Sequence, residues 1–194
     1  LGPGTAEDTL AALAQVPISP KRVLEIGCGK GIATNVLAKA IKKHQTDVHI
    51  IAVDNDQPSL DILTQQAQAS GSESNVQTVC ASMIDLPFEA QSFDLIWSEG
   101  SAYIMGVQKA LKQWRKLLTD DGILVVNDLV WNTDSPSEST KAFWQKEYPD
   151  MTTVAERLKH AKAAGYQILG DFTMSDEGWL AYYQPLQKQV EALK

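Results

Sequence analysis

The chain has 194 residues, of which 44% are hydrophobic and 21% are charged, as is typical of one globular domain with its own core. Its net charge of -7 at pH 7 argues against a non-specific nucleic-acid binder, because such proteins need a basic surface to meet phosphates. No apolar run approaches the ~20 residues of a membrane helix, so we expect no membrane association.

Cysteine and histidine usage predicts no metal site. We interpret Cys28 and Cys80 as free thiols in a reducing cytoplasm, because two cysteines make no disulfide framework. His44, His49 and His160 lie at no zinc-ligand spacing from a cysteine or a carboxylate. We therefore expect a cytoplasmic protein without a bound metal.

Apolar strands and amphipathic helices alternate along the chain. Strands are predicted at residues 23–26, 48–53, 76–80, 93–97, 123–127 and 166–172, and helices at 32–43, 56–71, 107–118 and 154–164. Nearly continuous apolar strands between helices are typical of a parallel sheet that is covered on both faces. We predict an α/β fold, a doubly wound and mostly parallel sheet, in a single domain over residues 1–194 with its core at 20–173.

Several helix ends carry local signals. Asp56 is a predicted N-cap with a proline two residues later, and Gly71 is the predicted stop of the same helix. Thr153 and Glu156 have the spacing of a capping box, and Gly165 follows the end of that helix. Near the start of the chain, Thr5 or Thr9 is expected to begin a helix.

The stretch VLEIGCGKG, from Val23 to Gly31, joins the first strand to the first helix of this alternating series. Glycine tolerates positive φ and lets a ligand approach the main chain, and a helix start offers free N–H donors. The glycines follow G-x-G-x-G, one residue shorter than the dinucleotide fingerprint, and Glu25 would repel a diphosphate but attract an ammonium.

The second strand ends in Asp54, at a place where an acid accepts the hydroxyls of a ribose in nucleotide-binding sheets. The ligand is therefore expected to carry a ribose and, near Glu25, a positive charge. S-adenosylmethionine has both features, together with a carboxylate that loop N–H groups could bind.

The chain resembles the class I S-adenosylmethionine-dependent methyltransferases over roughly residues 20 to 170. Four stretches carry the likeness in the family's order: VLEIGCGKG, VDND, SMIDLPFEAQSFDLIWSEG and LLTDDGILVV. The later SEGSAYIMG, WNTDSP and FWQKEYPDM resemble a bacterial subgroup of small-molecule type whose substrate is unassigned. The resemblance implies a Rossmann-like methyltransferase fold.

The positions of this sequence that match the family's motifs define the expected cofactor site. The resemblance implies that S-adenosyl-L-methionine is bound by Glu25, Gly27, Cys28, Gly29, Gly31, Asp54, Asn55, Ser82, Met83 and Ser98. Glu99 and Tyr103, just beyond the fourth strand, are the residues expected to contact the acceptor, with a hydrogen-bonded glutamate and a packed tyrosine as the structural alternatives.

The sequence departs from the family pattern in three ways. Ser82 stands where an acid commonly bonds the adenine amine, so main chain and Met83 are expected to hold the adenine. The seventh, antiparallel strand is apparently missing, since WLAYYQPLQKQVEALK reads as a helix. Only a short segment precedes the first strand, with residues 2–4 expected to fold over the cofactor, and we expect a truncated chain.

Residues 129–150 are longer than a standard connection and contain four aromatic residues. They are either a substrate-cover insertion or a helix packed on the sheet edge.

The predicted reaction is in-line methyl transfer to a small-molecule acceptor, in which the protein mainly places the reactants and removes water. Two alternatives remain open: an S-adenosylmethionine-binding protein without catalysis, and an NAD-type oxidoreductase on a similar fold. A nucleic-acid methyltransferase is disfavoured, because the fourth strand is not followed by the Asn-Pro-Pro-Tyr-like segment whose flat aromatic stacks a flipped base in such enzymes. The sequence leaves the oligomeric state open.

Overall fold

The structure, a computed structural model, describes residues 2–192. The strands are Arg22–Ile26 (β1), His49–Asp54 (β2), Val76–Cys80 (β3), Phe93–Ser98 (β4), Leu118–Val126 (β5), Val130–Trp131 (β6) and Thr152–Thr153 (β7). The helices are Ala6–Leu13 (α1), Ile32–Lys42 (α2), Gln57–Ser70 (α3), Val107–Trp114 (α4), Glu138–Glu147 (α5), Val154–Ala163 (α6) and Asp176–Ala192 (α7).

The main sheet has the order β3-β2-β1-β4-β5, and every pairing in it is parallel. This confirms the predicted α/β class. The order reverses between β1 and β4, and ligands of such sheets bind beyond the carboxyl ends of the strands at this switch point. Glu25, in β1, lies opposite Ala52 of β2 and Trp97 of β4.

Side chains alternate between the two faces of the sheet and build two cores. One core contains Leu37 of α2, Leu63 of α3 and Trp97 of β4, and Ala12 and Leu13 of α1 pack against it. The other contains Ile26 of β1 and Trp114 of α4. Helices on both faces explain why the central strands are nearly all apolar.

The predicted helix caps are present. The Asp56 carboxylate accepts a hydrogen bond from the Ser59 N–H at 3.1 Å, and Gly71 ends α3 in the left-handed conformation. The Thr153 hydroxyl accepts from the Glu156 N–H at the start of α6, which is one of the two hydrogen bonds of the predicted capping box. Thr5, rather than Thr9, caps α1.

The sixth strand predicted at 166–172 is wrong. These residues form neither helix nor strand. The Tyr166 hydroxyl donates to the Leu111 carbonyl at 3.0 Å, whereas Leu169 and Phe172 are exposed. An apolar run becomes a strand only where a neighbouring strand supplies its hydrogen bonds, and in the described part of the chain β5 pairs with β4 alone.

Helix α4 and strand β5 differ from their predicted bounds. The helix ends at Trp114 and the strand begins at Leu118 rather than Ile123. Phe93 pairs with Leu118 but Leu95 pairs with Ile123, so the extra residues of β5, including Gly122, are absorbed in an irregularity of the ladder.

The segment 129–150 contains strand β6, which pairs with β7, and helix α5, which has no buried residue. The terminal stretch that reads as a helix is α7. Across the described residues, no helix is both long and apolar enough to span a membrane.

Candidate functional site

The glycine-rich loop after β1 is tied to the end of β2. The N–H groups of Gly27 and Cys28 both donate to the Val53 carbonyl, at 2.8 and 3.0 Å. The Gly29 N–H donates to Asp54 Oδ2 at 2.8 Å. Three successive donors of the loop are therefore satisfied by the protein itself.

The three glycines of this loop differ in what surrounds them, although all have positive φ. A Cβ on Gly27 would lie 2.3 Å from Ser101 Oγ, and one on Gly31 would lie 2.2 Å from Leu63 Cδ1. A Cβ on Gly29 would meet nothing within 4 Å. The chain's own packing thus requires glycine at the outer two positions, and the side of the loop at Gly29 is open to a ligand.

Asp54 lies at the carboxyl end of β2 and is half-buried. Its Oδ2 accepts from Gly29 and its Oδ1 accepts from the Asp56 N–H at 3.0 Å. A carboxylate has about four lone-pair sites, so each oxygen keeps one for a further donor. Asp54 therefore holds the loop and still offers two acceptors.

Glu25 is a buried carboxylate within β1, 3% exposed. Burial raises the pKa of Glu25 to about 8, partly offset by Thr34 and reinforced by the charges of Glu99 and Asp54. Its Oε2 has no hydrogen-bond partner among the described residues. An unpaired buried carboxylate oxygen is costly unless a donor reaches it, so this atom is the clearest acceptor for a cationic ligand group.

Glu99 follows β4 and faces the N-terminal segment. Its Oε1 accepts from Trp97 Nε1 at 2.7 Å and from the Thr9 hydroxyl at 2.9 Å. A Cβ on Gly4 would come to 4.0 Å from its Oε2. Burial raises the pKa of Glu99, and the two hydrogen bonds oppose that shift. The N-terminal segment therefore lies close to Glu99 at Gly4 and Thr9, and the fold-over of residues 2–4 on a cofactor stays a prediction.

Ser98, at the end of β4, is fully buried. Its hydroxyl lies 2.8 Å from the Ser101 hydroxyl, which donates to the Ile26 carbonyl at 2.8 Å. Ser101 lies directly beneath Gly27. Ser98 therefore supports the glycine loop through Ser101.

The remaining predicted cofactor residues lie around the same end of the sheet. Cys28 is buried, and burial raises the pKa of its thiol. Asn55 and Ser82 are exposed after β2 and β3. Met83 is half-buried, and its Cε reaches to 3.9 Å from a Cβ placed on Gly27. The segment after β3 thus packs against the glycine loop.

Tyr103 is 52% exposed and packs edge-to-face on Tyr148, with ring centroids 5.7 Å apart. The Tyr148 hydroxyl donates to Asp128 Oδ1 at 2.7 Å, and Asp128 forms an ion pair with Arg157 at 2.7 Å. Arg157 also reaches the Asp150 carboxylate at 3.3 Å. This buried cluster anchors the segment 129–150 beside Tyr103.

Two cavities stand out in the structure. One of about 410 Å³ lies where Arg22 and His49 begin β1 and β2, at the opposite end of the strands from the glycine loop. The other, of about 570 Å³, is lined by residues of β6, α5 and β7. Among the described residues, no group of histidine, cysteine and carboxylate side chains could hold a metal ion.

Sequence reasoning missed the residues that hold the site together. Thr9, Thr34, Ser101 and Asn127 lie among the site residues, and the Asn127 side chain accepts from the Gly100 N–H at 2.5 Å. Thr9, Ser101 and Asn127 meet their partners across 27 or more positions, and Thr34 lies nine positions from Glu25, so no local pattern marks them.

Comparison with known proteins identifies the family and the fold of the chain. A family profile described as a methyltransferase domain matches residues 19–189. A methyltransferase structure from Geobacter sulfurreducens, solved with S-adenosyl-L-homocysteine, is 19% identical, covers 98% of this chain and 77% of its own, and superposes with a TM-score of 0.79. The [4+2]-cyclase SpnF, 23% identical, shares the fold with a TM-score of 0.70 over 85% of this chain and 59% of its own.

Sequence relatives match only part of their own length. A glycine/sarcosine/dimethylglycine N-methyltransferase of Actinopolyspora halophila is 29% identical over 63% of this chain and 21% of the relative. An uncharacterized protein of Haemophilus influenzae is 30% identical over 57% of this chain and 43% of the relative. The chain thus spans less than half the length of these two relatives.

Proposed function

Because this chain belongs to the class I S-adenosylmethionine-dependent methyltransferases, whose domain profile covers residues 19–189, we propose that it transfers a methyl group from that cofactor to a small-molecule acceptor. The observation that carries the proposal is the unpartnered, buried Oε2 of Glu25 close to a glycine loop that is open at Gly29.

The residues of the site fit the cofactor. Asp54 offers two acceptor positions for the hydroxyls of a ribose. Glu25, whose pKa of about 8 keeps it protonated in the free protein near neutral pH, would release that proton to pair through Oε2 with an ammonium. Met83, whose Cε would lie 3.9 Å from a Cβ on Gly27, would hold the adenine, and the Gly29 side of the loop leaves room for the close approach of a ligand.

The charges of the site disfavour the NAD-type alternative. Glu25, Asp54 and Glu99 all lie near the carboxyl ends of strands, and each of the last two raises the pKa of Glu25 through its charge. Three neighbouring acids would repel a diphosphate. The N–H groups of Gly27, Cys28 and Gly29 already donate to Val53 and Asp54, so these three donors are free neither for a pyrophosphate nor for the carboxylate of S-adenosylmethionine that we expected loop N–H groups to bind.

When bound, S-adenosylmethionine supplies an electrophilic methyl group on a sulfonium. The chain's own residues then orient the reactants and exclude water from them. Glu25 holds the ammonium of the cofactor and Asp54 holds its ribose. Glu99 and Tyr103 face the acceptor. Burial keeps the pKa of Glu99 above its usual value, which suits a group that accepts a proton from the acceptor.

Two further assignments belong to this proposal. Free Cys28 and Cys80, the latter exposed, support a cytoplasmic location. The two relatives named above and the Geobacter structure come from bacteria, which supports a bacterial origin, although fungal proteins also match this chain. The name of the Actinopolyspora relative supports a panel of acceptors that includes small amines.

The test is calorimetric titration of S-adenosylhomocysteine into Asp54→Asn and Asp56→Asn, two acid-to-amide changes that lie two residues apart. Asparagine is as good an N-cap as aspartate, so Asp56→Asn should leave affinity unchanged. Asp54→Asn should weaken binding roughly 10- to 100-fold, the value of a lost hydrogen bond to a charged acceptor.

Equal affinities of the two variants would overturn the role of Asp54, and tighter binding of NAD than of S-adenosylhomocysteine would overturn the cofactor. Transfer of labelled methyl groups to a panel of amines, phenols and thiols tests catalysis. Cofactor binding without transfer to any acceptor would favour the non-catalytic alternative.

A further inference from the structure

The cavity of about 570 Å³ within the segment 129–153 has the size of a small-molecule site, for which roughly 300–1,000 Å³ is usual. Three aromatic side chains contribute to its largely polar lining, namely Trp131 of β6, Trp144 of α5 and Tyr148. Both tryptophans are half-buried. Helix α5 has no buried residue, so the core of the domain does not require this helix.

The charged residues of the lining give the cavity a net negative charge. Two acids, Asp134 and Glu138, and one lysine, Lys141, line it. The N-terminus of α5 is capped by Ser137, whose hydroxyl accepts from the Thr140 N–H at 3.2 Å, so that donor is not free for an anion. Aromatic rings attract cations, most strongly in the case of tryptophan. The lining as a whole favours a positively charged guest.

One wall of the cavity is shared with the candidate acceptor site. Tyr148 lines the cavity and also packs edge-to-face on Tyr103. Its hydroxyl is fixed by Asp128 at 2.7 Å and approached by Arg157 Nη2 at 3.2 Å. These hydrogen bonds hold the Tyr148 ring in place where the cavity adjoins Tyr103.

We propose that this cavity binds the cationic part of the methyl acceptor, and that the acceptor belongs to the organic ammonium compounds. The inference rests on the proposed function, because it assigns a substrate class to that reaction. Trp131 and Trp144 provide the aromatic surface, and Asp134 provides the countercharge.

The experiment compares two probes of nearly the same shape by calorimetry, using the protein saturated with S-adenosylhomocysteine. Choline carries a quaternary ammonium, and 3,3-dimethylbutan-1-ol replaces its nitrogen with carbon. Choline should bind about tenfold more tightly than the neutral alcohol, as expected from cation–π and ionic attraction in a partly desolvated site.

Variants of exposed lining residues test how the net charge of the cavity affects choline binding, and they leave the core unchanged. Asp134→Asn should weaken choline binding about threefold, and Lys141→Met should strengthen it by a similar factor. Asp121→Asn, an acid-to-amide change in β5 outside the cavity, is the matched control and should change nothing. Trp144→Leu should abolish the preference for choline over the alcohol.

The outcomes separate the two proposals. If S-adenosylhomocysteine fails to bind, the proposed function fails. If S-adenosylhomocysteine binds but the two probes bind equally, or neither binds, the assignment of an ammonium acceptor is overturned and the proposed function stands. A Lys141→Met variant that binds choline more weakly would also overturn the assignment.

Discussion

Thr9 and Glu99 lie ninety positions apart and are joined by a hydrogen bond of 2.9 Å from the threonine hydroxyl to the carboxylate. Thr9 is buried in α1, and Glu99 follows β4 beside the glycine loop. The bond therefore attaches the first helix to the end of the sheet where the candidate site lies.

Removing that bond should loosen the first helix. Thr9→Val keeps the volume of the side chain but leaves Glu99 Oε1 with Trp97 as its one remaining donor, so we expect a loss of about 1–3 kcal/mol in the free energy of unfolding. Urea denaturation measures this loss. Thr173→Val, at an exposed position, is the control and should stay within about 0.5 kcal/mol of the parent. Equal stabilities of the two variants would contradict the role of the bond.

Glu25 makes the free protein less stable as pH rises. Burial raises the pKa of Glu25 from 4.5 to about 8, so the folded state keeps a proton that the unfolded chain releases between these values. The stability from this group is complete below about pH 4.5 and falls until about pH 8. Glu25→Gln abolishes the loss, and its unfolding free energy should exceed that of the parent by on the order of a few kcal/mol at pH 8.

Urea denaturation near pH 4.5 and at pH 8 checks this difference, which should nearly vanish at the lower pH. Glu73→Gln, an exposed glutamate before β3, should parallel the parent at both values. The same Glu25→Gln protein should bind S-adenosylhomocysteine more weakly, because the neutral amide lacks the charge that an ammonium prefers. A variant that is no more stable than the parent at pH 8 would show that Glu25 ionises normally.

Gly29 and Gly71 form a matched pair for testing the open side of the glycine loop. Both have positive φ, 50° and 66°, and a Cβ on either would meet nothing within 4 Å. Alanine at each position should therefore cost a similar ~1–2 kcal/mol of backbone strain. Only Gly29→Ala should also lower the affinity for S-adenosylhomocysteine, by about tenfold or more in calorimetry. Similar affinities in the two variants would place the ligand elsewhere.

The buried pair of Asp128 and Arg157 predicts an asymmetric response to mutation. Arg157→Met leaves the carboxylate of Asp128 buried without its cation, and should cost about 3–5 kcal/mol in urea denaturation. Adding Asp128→Leu should restore part of that loss, since two apolar residues can replace a buried pair. Lys146→Met removes a pair whose lysine is 84% exposed and should be nearly neutral. A double variant less stable than Arg157→Met would refute the scheme.

Local signals predicted the fold best. Asp56 and Gly71 mark the ends of α3 in the sequence because a cap depends on residues within one turn. The apolar strands β1 to β4 were predicted within about a residue or two, since burial on both faces demands continuous apolar runs. The false strand at 166–172 shows the limit of this reasoning, because a run of apolar residues does not specify a partner.

Only those residues of the candidate site that belong to a sequence motif were predictable. Gly29, Asp54 and Glu25 stand at the ends of predicted strands, so the sheet itself brings them together. The different surroundings of Gly27 and Gly29 depend on Ser101, which reaches the loop from beyond β4. The cluster of Asp128, Tyr148 and Arg157 joins three separate segments, and its members had no shared pattern to reveal them.

The two hydrogen bonds from Gly27 and Cys28 to the Val53 carbonyl have a consequence for the thermodynamics of binding. They fix the shape of the loop during folding, so a ligand does not have to freeze a flexible segment when it arrives. Because the loop is already ordered, it loses little conformational entropy on binding, and less of the interaction free energy is offset.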